Sequence, residues 1–337
     1  MRFALMIEPQ QGLDYQQHLD LARHAEAAGF EALYRSDHYQ SFPGPEGRTT
    51  TDAWAVIAGL VRETRTIRHG TLVSPVTFRH PGNLAKVVAT IDHMSDGRVE
   101  LGLGIGWHEG EHRQLGLPFP DVQTRLQLLE EQLAIVTGLW AEPDGWSFAG
   151  RHYRVDGARF APRPVQRPRP PVIVGTRGSR AAAELAARYA DELNLYYVTP
   201  PLARLAFQRL DDACQAIGRD PSSIRRSILL GTVIGTTQRE VDDRLAQVRR
   251  TFEFPGSADA WMDEWGSRWL HGTPAEVAEM IGSFADSGAD RIIFQDFLFD
   301  DAEMIDLLAR CANDDLWKNA GAAHAGRESS LNDHGPT

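Results

Sequence analysis

Short apolar runs alternate along this chain with stretches whose apolar residues recur at helical spacing, and the alternation continues from one end to the other. The runs predict strands at Phe3–Ile7, Phe30–Tyr34, Gly70–Pro75, Val99–Ile105, Pro171–Gly175, Glu192–Val198, Ser227–Ile234 and Arg291–Phe297. The periodic stretches predict helices at Tyr15–Ala28, Asp52–Arg62, Pro81–Met94, Asp121–Trp140, Ser179–Tyr189, Leu202–Ile217, Thr273–Gly288 and Asp300–Trp317. Leu84, Val87, Val88 and Ile91 share one face of the third helix; Leu126, Leu129, Leu133, Val136 and Leu139 share one face of the fourth. Terminal signals agree, with Gly29 after the first helix, Asp52 able to cap the second, and Thr273-Pro274 opening the seventh.

Eight strands, each followed by a helix, favour a closed (β/α)8 barrel over an open doubly wound sheet, and continuous apolar strands such as PVIVG and RIIF suit a parallel sheet covered on both faces. One domain is expected over residues 1–317. It is interrupted at about 141–170 by a hairpin (Trp146–Phe160) and a proline-rich connector (Pro162–Pro171), and at about 238–270 by a mostly helical insertion. The small, polar tail 318–337 is expected to be disordered. A barrel collects its chemistry at the C-terminal strand ends. Here those ends are Glu8, Asp37-His38, Thr71–Ser74, Gly104–Trp107, Gly175–Gly178 and Gln295-Asp296. The third strand ends in β-branched, Ser and Pro residues, where a bulge is expected, and the fourth ends in Gly102, Gly104 and Gly106, which let something large approach the backbone.

Composition narrows the partners. With 46 acidic against 35 basic residues the net charge is −11, which disfavours a nucleic-acid groove; the basic run Arg163–Arg169 is proline-spaced and reads as a stiff connector. Cys214 and Cys311 are the only cysteines, so no disulfide framework is indicated. No apolar run is long enough to span a membrane and the N-terminus enters a strand directly, so a cytoplasmic protein is expected.

Three motifs have two readings each. GLGIG resembles a dinucleotide fingerprint, but G-x-G-x-x-G fails because Trp107 and Glu109 occupy the third glycine position in its two frames. HEGEH, His108 to His112, fits H-E-x-x-H, yet Gly110 lies inside it at a strand exit rather than mid-helix, so no metal site is assigned. GTRGSR, Gly175 to Arg180, is either an ordinary strand-to-helix turn or a phosphate seat built on a helix N-terminus and Arg177. Asp37-His38 is open in the same way: His38 can be a structural residue or can move a proton near neutral pH, with Asp37 orienting it or touching a cofactor. Phe42, Trp54 and Trp107 offer area for a flat ligand or belong to the core.

GFEALYRSDH, then TLVSPVTFRHPGNLAKVVATIDHMSDGRVELGLGIGWHEGEH, then PRPPVIVGTRGSRAAAELAARYADELN together resemble the bacterial luciferase-like superfamily, in particular its coenzyme F420-dependent oxidoreductases. The resemblance runs from about Met1 to Trp317 and implies a TIM barrel with insertions, usually a homodimer. It also implies a non-proline cis peptide behind the flavin ring, at Thr71-Leu72 or one residue later, within Thr71, Leu72 and Val73. By the same resemblance Asp37 contacts the deazaflavin, and Gly106, Trp107 and Glu111 line its ring and ribityl chain. Gly175, Thr176, Arg177, Gly178 and Ser179 hold its phosphate, and His38 is the catalytic proton donor or acceptor for hydride transfer to or from a small organic substrate. Two alternatives stay open: an FMNH2-dependent monooxygenase working with FMN and a separate flavin reductase, and a non-catalytic flavin-binding protein. Lys86 and Lys318 are the only lysines, which argues against a phosphorylated sugar as substrate. Loops at Phe42–Arg48, Phe148–Tyr153 and Phe252–Trp269 are expected to roof the pocket.

Overall fold

A computed structural model describes residues 1–254 and 256–313. The helix end expected at Trp317, the tail 318–337, and Pro255 within the expected roof lie outside the described residues. Eleven strands are present among the described residues: β1 (Arg2–Ile7), β2 (Ala32–Arg35), β3 (Arg68–Pro75), β4 (Val99–Gly104), β5 (Trp146–Ala149), β6 (Arg154–Ala158), β7 (Val172–Thr176), β8 (Glu192–Tyr196), β9 (Arg225–Ile234), β10 (Trp269–Gly272) and β11 (Arg291–Asp296). β1, β2, β3, β4, β7, β8, β9 and β11 pair in parallel, and pairing of β11 with β1 closes them into an eight-stranded barrel. β5 and β6 form the expected antiparallel hairpin.

The helical signals act as read: Asp52 and Asp121 each cap their helix, accepting from the backbone N–H of Ala55 and Thr124 at 2.9 and 2.7 Å. Three expectations need correction. Val87 faces outward and is exposed, while Ala85 packs inward with Leu84, Val88 and Ile91. HEGEH enters a short helix, Glu109–Leu115, with His108 at its N-cap; the glycine penalty is outweighed by tertiary bonds to Glu111 and His112. The insertion is helical at Gln238–Thr251 and Ala258–Trp265, but Trp269–Gly272 is a strand that extends the sheet beside β9. Its pairing partner, Gly231–Ile234, is the end of β9 that β8 leaves uncovered.

Alternation along the strands sorts the side chains. Leu5, Ile7, Leu33, Val99, Leu101, Val172 and Val174 face the helix layer, while Ala4, Met6, Tyr34, Leu72, Ile173, Leu229 and Ile293 fill the barrel. The N-terminal end of the interior holds charge. Arg291, fully buried, donates to Tyr34 at 2.5 Å, to Glu192 at 3.0 Å and to Glu100 at 3.3 Å, and its second terminal nitrogen pairs with Glu31 at 3.0 Å. Burial pushes the Glu100 carboxyl up, but Arg291, Arg68 and the Tyr34 hydroxyl outweigh it and hold Glu100 at about 2; Glu192, in the same cluster, is pushed upward by its burial. Replacing Arg291 with Met removes the cation that Glu100 and Glu192 share and leaves each with one arginine at the cluster's edge, Arg68 and Arg225, so urea unfolding is expected to show a loss of about 3 kcal/mol.

Asp296, at the end of β11, is also fully buried. One carboxyl oxygen accepts the Leu298 N–H at 2.7 Å and the other has no partner among the described residues. Burial pushes this carboxyl from 3.8 up to about 7, so its contribution is fully present below about pH 4 and is lost as pH rises through 7. Asp296→Asn is therefore expected to flatten that decline and to be more stable than the natural chain at pH 8, as read from thermal unfolding across pH 4–9.

Candidate active site

The site begins with a packing problem on adjacent strands. β4 and β7 present glycine at interior positions 102, 104 and 175, leaving space that one side chain of β3 occupies: β-carbons at Gly104 and Gly175 would fall 2.5 and 2.8 Å from the Val73 γ-carbons. The register of β3 against β4 shifts between Thr71 and Ser74, and the peptide Leu72–Val73 is cis, one residue beyond Thr71-Leu72. Thr71 and Leu72 are buried and Val73 is half-buried, so one face of Val73 remains open at the C-terminal end of the barrel. Thr71 donates to the Gly102 carbonyl at 3.1 Å. What approaches the glycines is the chain's own bulge.

β2 delivers Asp37 and His38 beside it. Asp37 is buried and spoken for: it accepts from Ser74 Oγ at 2.6 Å and from the two terminal nitrogens of Arg79 at 2.5 and 3.2 Å. His38 Nδ1 lies 2.9 Å from Glu111 Oε1, and the second Glu111 oxygen accepts the Tyr39 N–H at 3.0 Å. A carboxylate can only accept, so Nδ1 carries the proton and Nε2 is the ring atom free to exchange one. Phe42 meets the His38 ring edge-on at 4.4 Å between centroids, with Trp107 at 6.0 Å. Trp107 is 63% exposed and follows Gly106, whose φ of +75° turns the chain out of β4. Trp54 belongs to the core and donates to Ser74 at 3.1 Å. Glu111 sits on the imidazole and on the Tyr39 amide, a placement that its sequence position beside the glycines does not signal.

His112 is occupied at both nitrogens, donating from Nδ1 to the His108 carbonyl at 2.7 Å and accepting at Nε2 from Thr77 Oγ1 at 2.6 Å. His108 Nε2 lies 3.2 Å from Gln40 Oε1, so both histidines of the H-E-x-x-H pattern are engaged in contacts that pack the loops. Across the mouth, Thr176 Oγ1 accepts from the Gly178 and Ser179 N–H groups at 3.1 and 3.3 Å, and Ser179 caps the helix Arg180–Tyr189. Gly178 needs its φ of +96° for this turn, and its carbonyl takes Arg209 at 2.5 Å. Arg177 and Ser179 are exposed, Gly175 is half-buried, and the Arg177 guanidinium lies 5.1 Å over the Tyr196 ring.

Between these two sides runs a hydrogen-bonded chain that links strand ends: Tyr197 donates to Gln295 at 2.5 Å, Gln295 to Glu8, Gln10 to Glu8 at 2.7 Å, and Ser36 to Gln10 at 2.6 Å. The insertion reaches the mouth through Trp269, whose ring fills the space at Gly231, where a β-carbon would fall 2.3 Å from it, and stacks on Phe297 at 5.1 Å. The Phe42–Arg48 loop also meets the insertion, since Arg48 donates to the Thr251 carbonyl at 3.3 Å. The hairpin tip instead binds the barrel's flank, where Glu131 accepts the N–H groups of Arg151, His152 and Tyr153 at 2.6 to 3.0 Å.

Residues 1–291 match the luciferase-like monooxygenase family over most of the chain. The chain belongs to the luciferase-like monooxygenase family. Within it, an F420-dependent glucose-6-phosphate dehydrogenase of Microbacterium testaceum (strain StLB037) is 30% identical over 306 residues, covering 82% of this chain and 86% of the relative. An FMNH2-dependent dimethylsulfone monooxygenase of Pseudomonas fluorescens (strain Pf0-1) is 26% identical over 310 residues, covering 84% and 82%. The barrel matches the solved structure of an F420-dependent secondary alcohol dehydrogenase in complex with an F420-acetone adduct, with a TM-score of 0.79, 19% identity, and coverage of 92% of this chain and 97% of that one. The chain is thus an oxidoreductase of the luciferase-like family, with both deazaflavin and flavin enzymes among its relatives. No helix among the described residues is long and apolar enough to cross a membrane.

If the Val73 shelf matters as its packing implies, Gly104→Ala displaces it: about 1–3 kcal/mol of stability is expected to go in urea unfolding. Gly102→Ala, whose β-carbon would fall 2.1 Å from the Thr71 carbonyl oxygen, is expected to cost more in the same assay because backbone must move.

Proposed function

We propose that this protein is a coenzyme F420-dependent oxidoreductase acting on a small, non-phosphorylated organic substrate, with His38 donating or accepting the proton. The observation that carries the reading is the His38–Glu111 pair at the open end of the barrel, 2.9 Å apart and walled by Phe42 and Trp107. A buried carboxylate on Nδ1 orients the imidazole, leaves Nε2 for proton exchange and stabilises the cation formed when Nε2 takes a proton.

Two features suit a tricyclic, phosphorylated coenzyme. Val73, seated on Gly102, Gly104 and Gly175, offers an apolar surface to one face of a flat ring, with Thr71, Leu72, Gly106 and Trp107 around it. Gly175, Thr176, Arg177, Gly178 and Ser179 form a turn at a helix N-terminus with an exposed guanidinium beside it, a seat for an anion. When bound, the deazaflavin supplies hydride chemistry at its C5. Asp37, neutralised by Arg79, shapes the shelf beside His38. Glu8, Gln10 and Gln295 supply fixed dipoles and one negative charge at the mouth, which disfavours an anionic substrate group there. The scarcity of lysine points the same way.

FMN is the competing cofactor, because FMNH2-dependent relatives share the fold. Fluorescence titration of the purified protein with F420 and with FMN, each oxidised and reduced, separates the two: micromolar binding of F420 without FMN is expected, and preference for reduced FMN overturns the reading in favour of a monooxygenase. His38→Ala is expected to keep cofactor binding and to lose roughly 10²–10⁴-fold in turnover.

A further inference from the structure

His38 is flanked in the chain by two residues whose side chains end on the same guanidinium. Arg79 donates to Asp37 at 2.5 and 3.2 Å, to the Tyr39 hydroxyl at 2.8 Å and to Asp52 at 2.5 Å, and the Tyr39 hydroxyl itself donates to Asp52 at 2.6 Å. Four side chains therefore close a ring of charge-assisted bonds around the backbone of residues 37–39. Glu111 supplies the other hold, on His38 Nδ1 and on the Tyr39 N–H. Arg79 is in turn set by its loop: Gln132, fully buried in the helix Val122–Ala141, donates to the carbonyls of Val76 at 2.6 Å and of Arg79 at 3.0 Å. Phe78 stacks on Tyr39 at 4.7 Å between ring centroids.

We infer that Arg79 is a positioning residue: by gripping Asp37 on one side of His38 and Tyr39 on the other, it holds the imidazole against Glu111 in one tautomer, with Nε2 left for proton exchange. Among the described contacts Arg79 bonds to the neighbours of His38 and not to its ring. Freed of Arg79, Asp37 keeps only its hydrogen bond from Ser74, the Tyr39 hydroxyl loses one of its two partners, and the imidazole gains room to turn away from the carboxylate. A lysine cannot replace the fork, because one ammonium on a flexible stem does not span Asp37, Tyr39 and Asp52 together. Burial of Asp37 without a cation is costly, so Asp37→Asn/Arg79→Met removes both charges and serves where Arg79→Lys or Arg79→Ala fails to fold.

The inference rests on the assignment of His38 as the proton-moving group, but its test needs no cofactor. In ¹⁵N-histidine-labelled protein without added cofactor, with His38→Gln identifying the resonance, the natural chain is expected to show one His38 tautomer protonated at Nδ1. Arg79→Lys and the double variant are expected to lose that signal to a mixture of tautomers, and guanidinium added to Arg79→Ala is expected to restore it. An unchanged His38 tautomer in folded Arg79→Lys and in the double variant overturns the inference. Failure of F420 to bind the natural chain overturns the proposed function instead, and leaves the tautomer result to decide the role of Arg79.

Discussion

A guanidinium in the middle of a closed barrel has to be matched from several strands at once, and Arg291 is matched in that way. Tyr34 comes from β2, Glu100 from β4 and Glu192 from β8, while Arg291 itself comes from β11, so the cluster spans the ring instead of joining neighbours. Each strand must then be in register for the charge to be met, because a slip of one residue would turn these groups out of the interior. Filling the N-terminal end with a charged cluster leaves the C-terminal end for ligands, and the strand ends there are free to carry chemistry.

At that other end the limiting factor is volume. Gly102, Gly104 and Gly175 empty one side of the barrel, and the bulge in β3 fills it with Val73. The same bulge brings Ser74 to Asp37, and the loop beyond it brings Arg79. The apolar shelf and the charged clamp around His38 are therefore products of one local departure from regular strand geometry.

The two sides of the mouth differ in burial and pairing. Around His38 the carboxylates Asp37 and Glu111 are buried and paired, with aromatic rings beside them, which suits holding one geometry. Around Arg177 and Ser179 the side chains are exposed to water. The insertion joins the two sides through Trp269 and through the contact between Arg48 and Thr251, so the roof is part of the packed structure of the mouth.

Sequence alone determined the alternation of strand and helix, the parallel closed barrel, and the residues that fall at its C-terminal strand ends, because periodicity and capping are local properties of the chain. It also singled out Asp37-His38 and the turn after PVIVG. It did not reveal that Glu111 is the partner of His38, 73 residues away, nor that Arg79 clamps the residues on either side, because neither pair shares an element. HEGEH could be read as a zinc motif, and the glycines as room for a ligand, because each pattern has several uses in isolation. Only closure of the barrel decided among them, by bringing the bulge of β3 against the glycines of β4 and β7 and the Glu109–Leu115 helix over the end of β2, where burial obliges each polar group to find a partner.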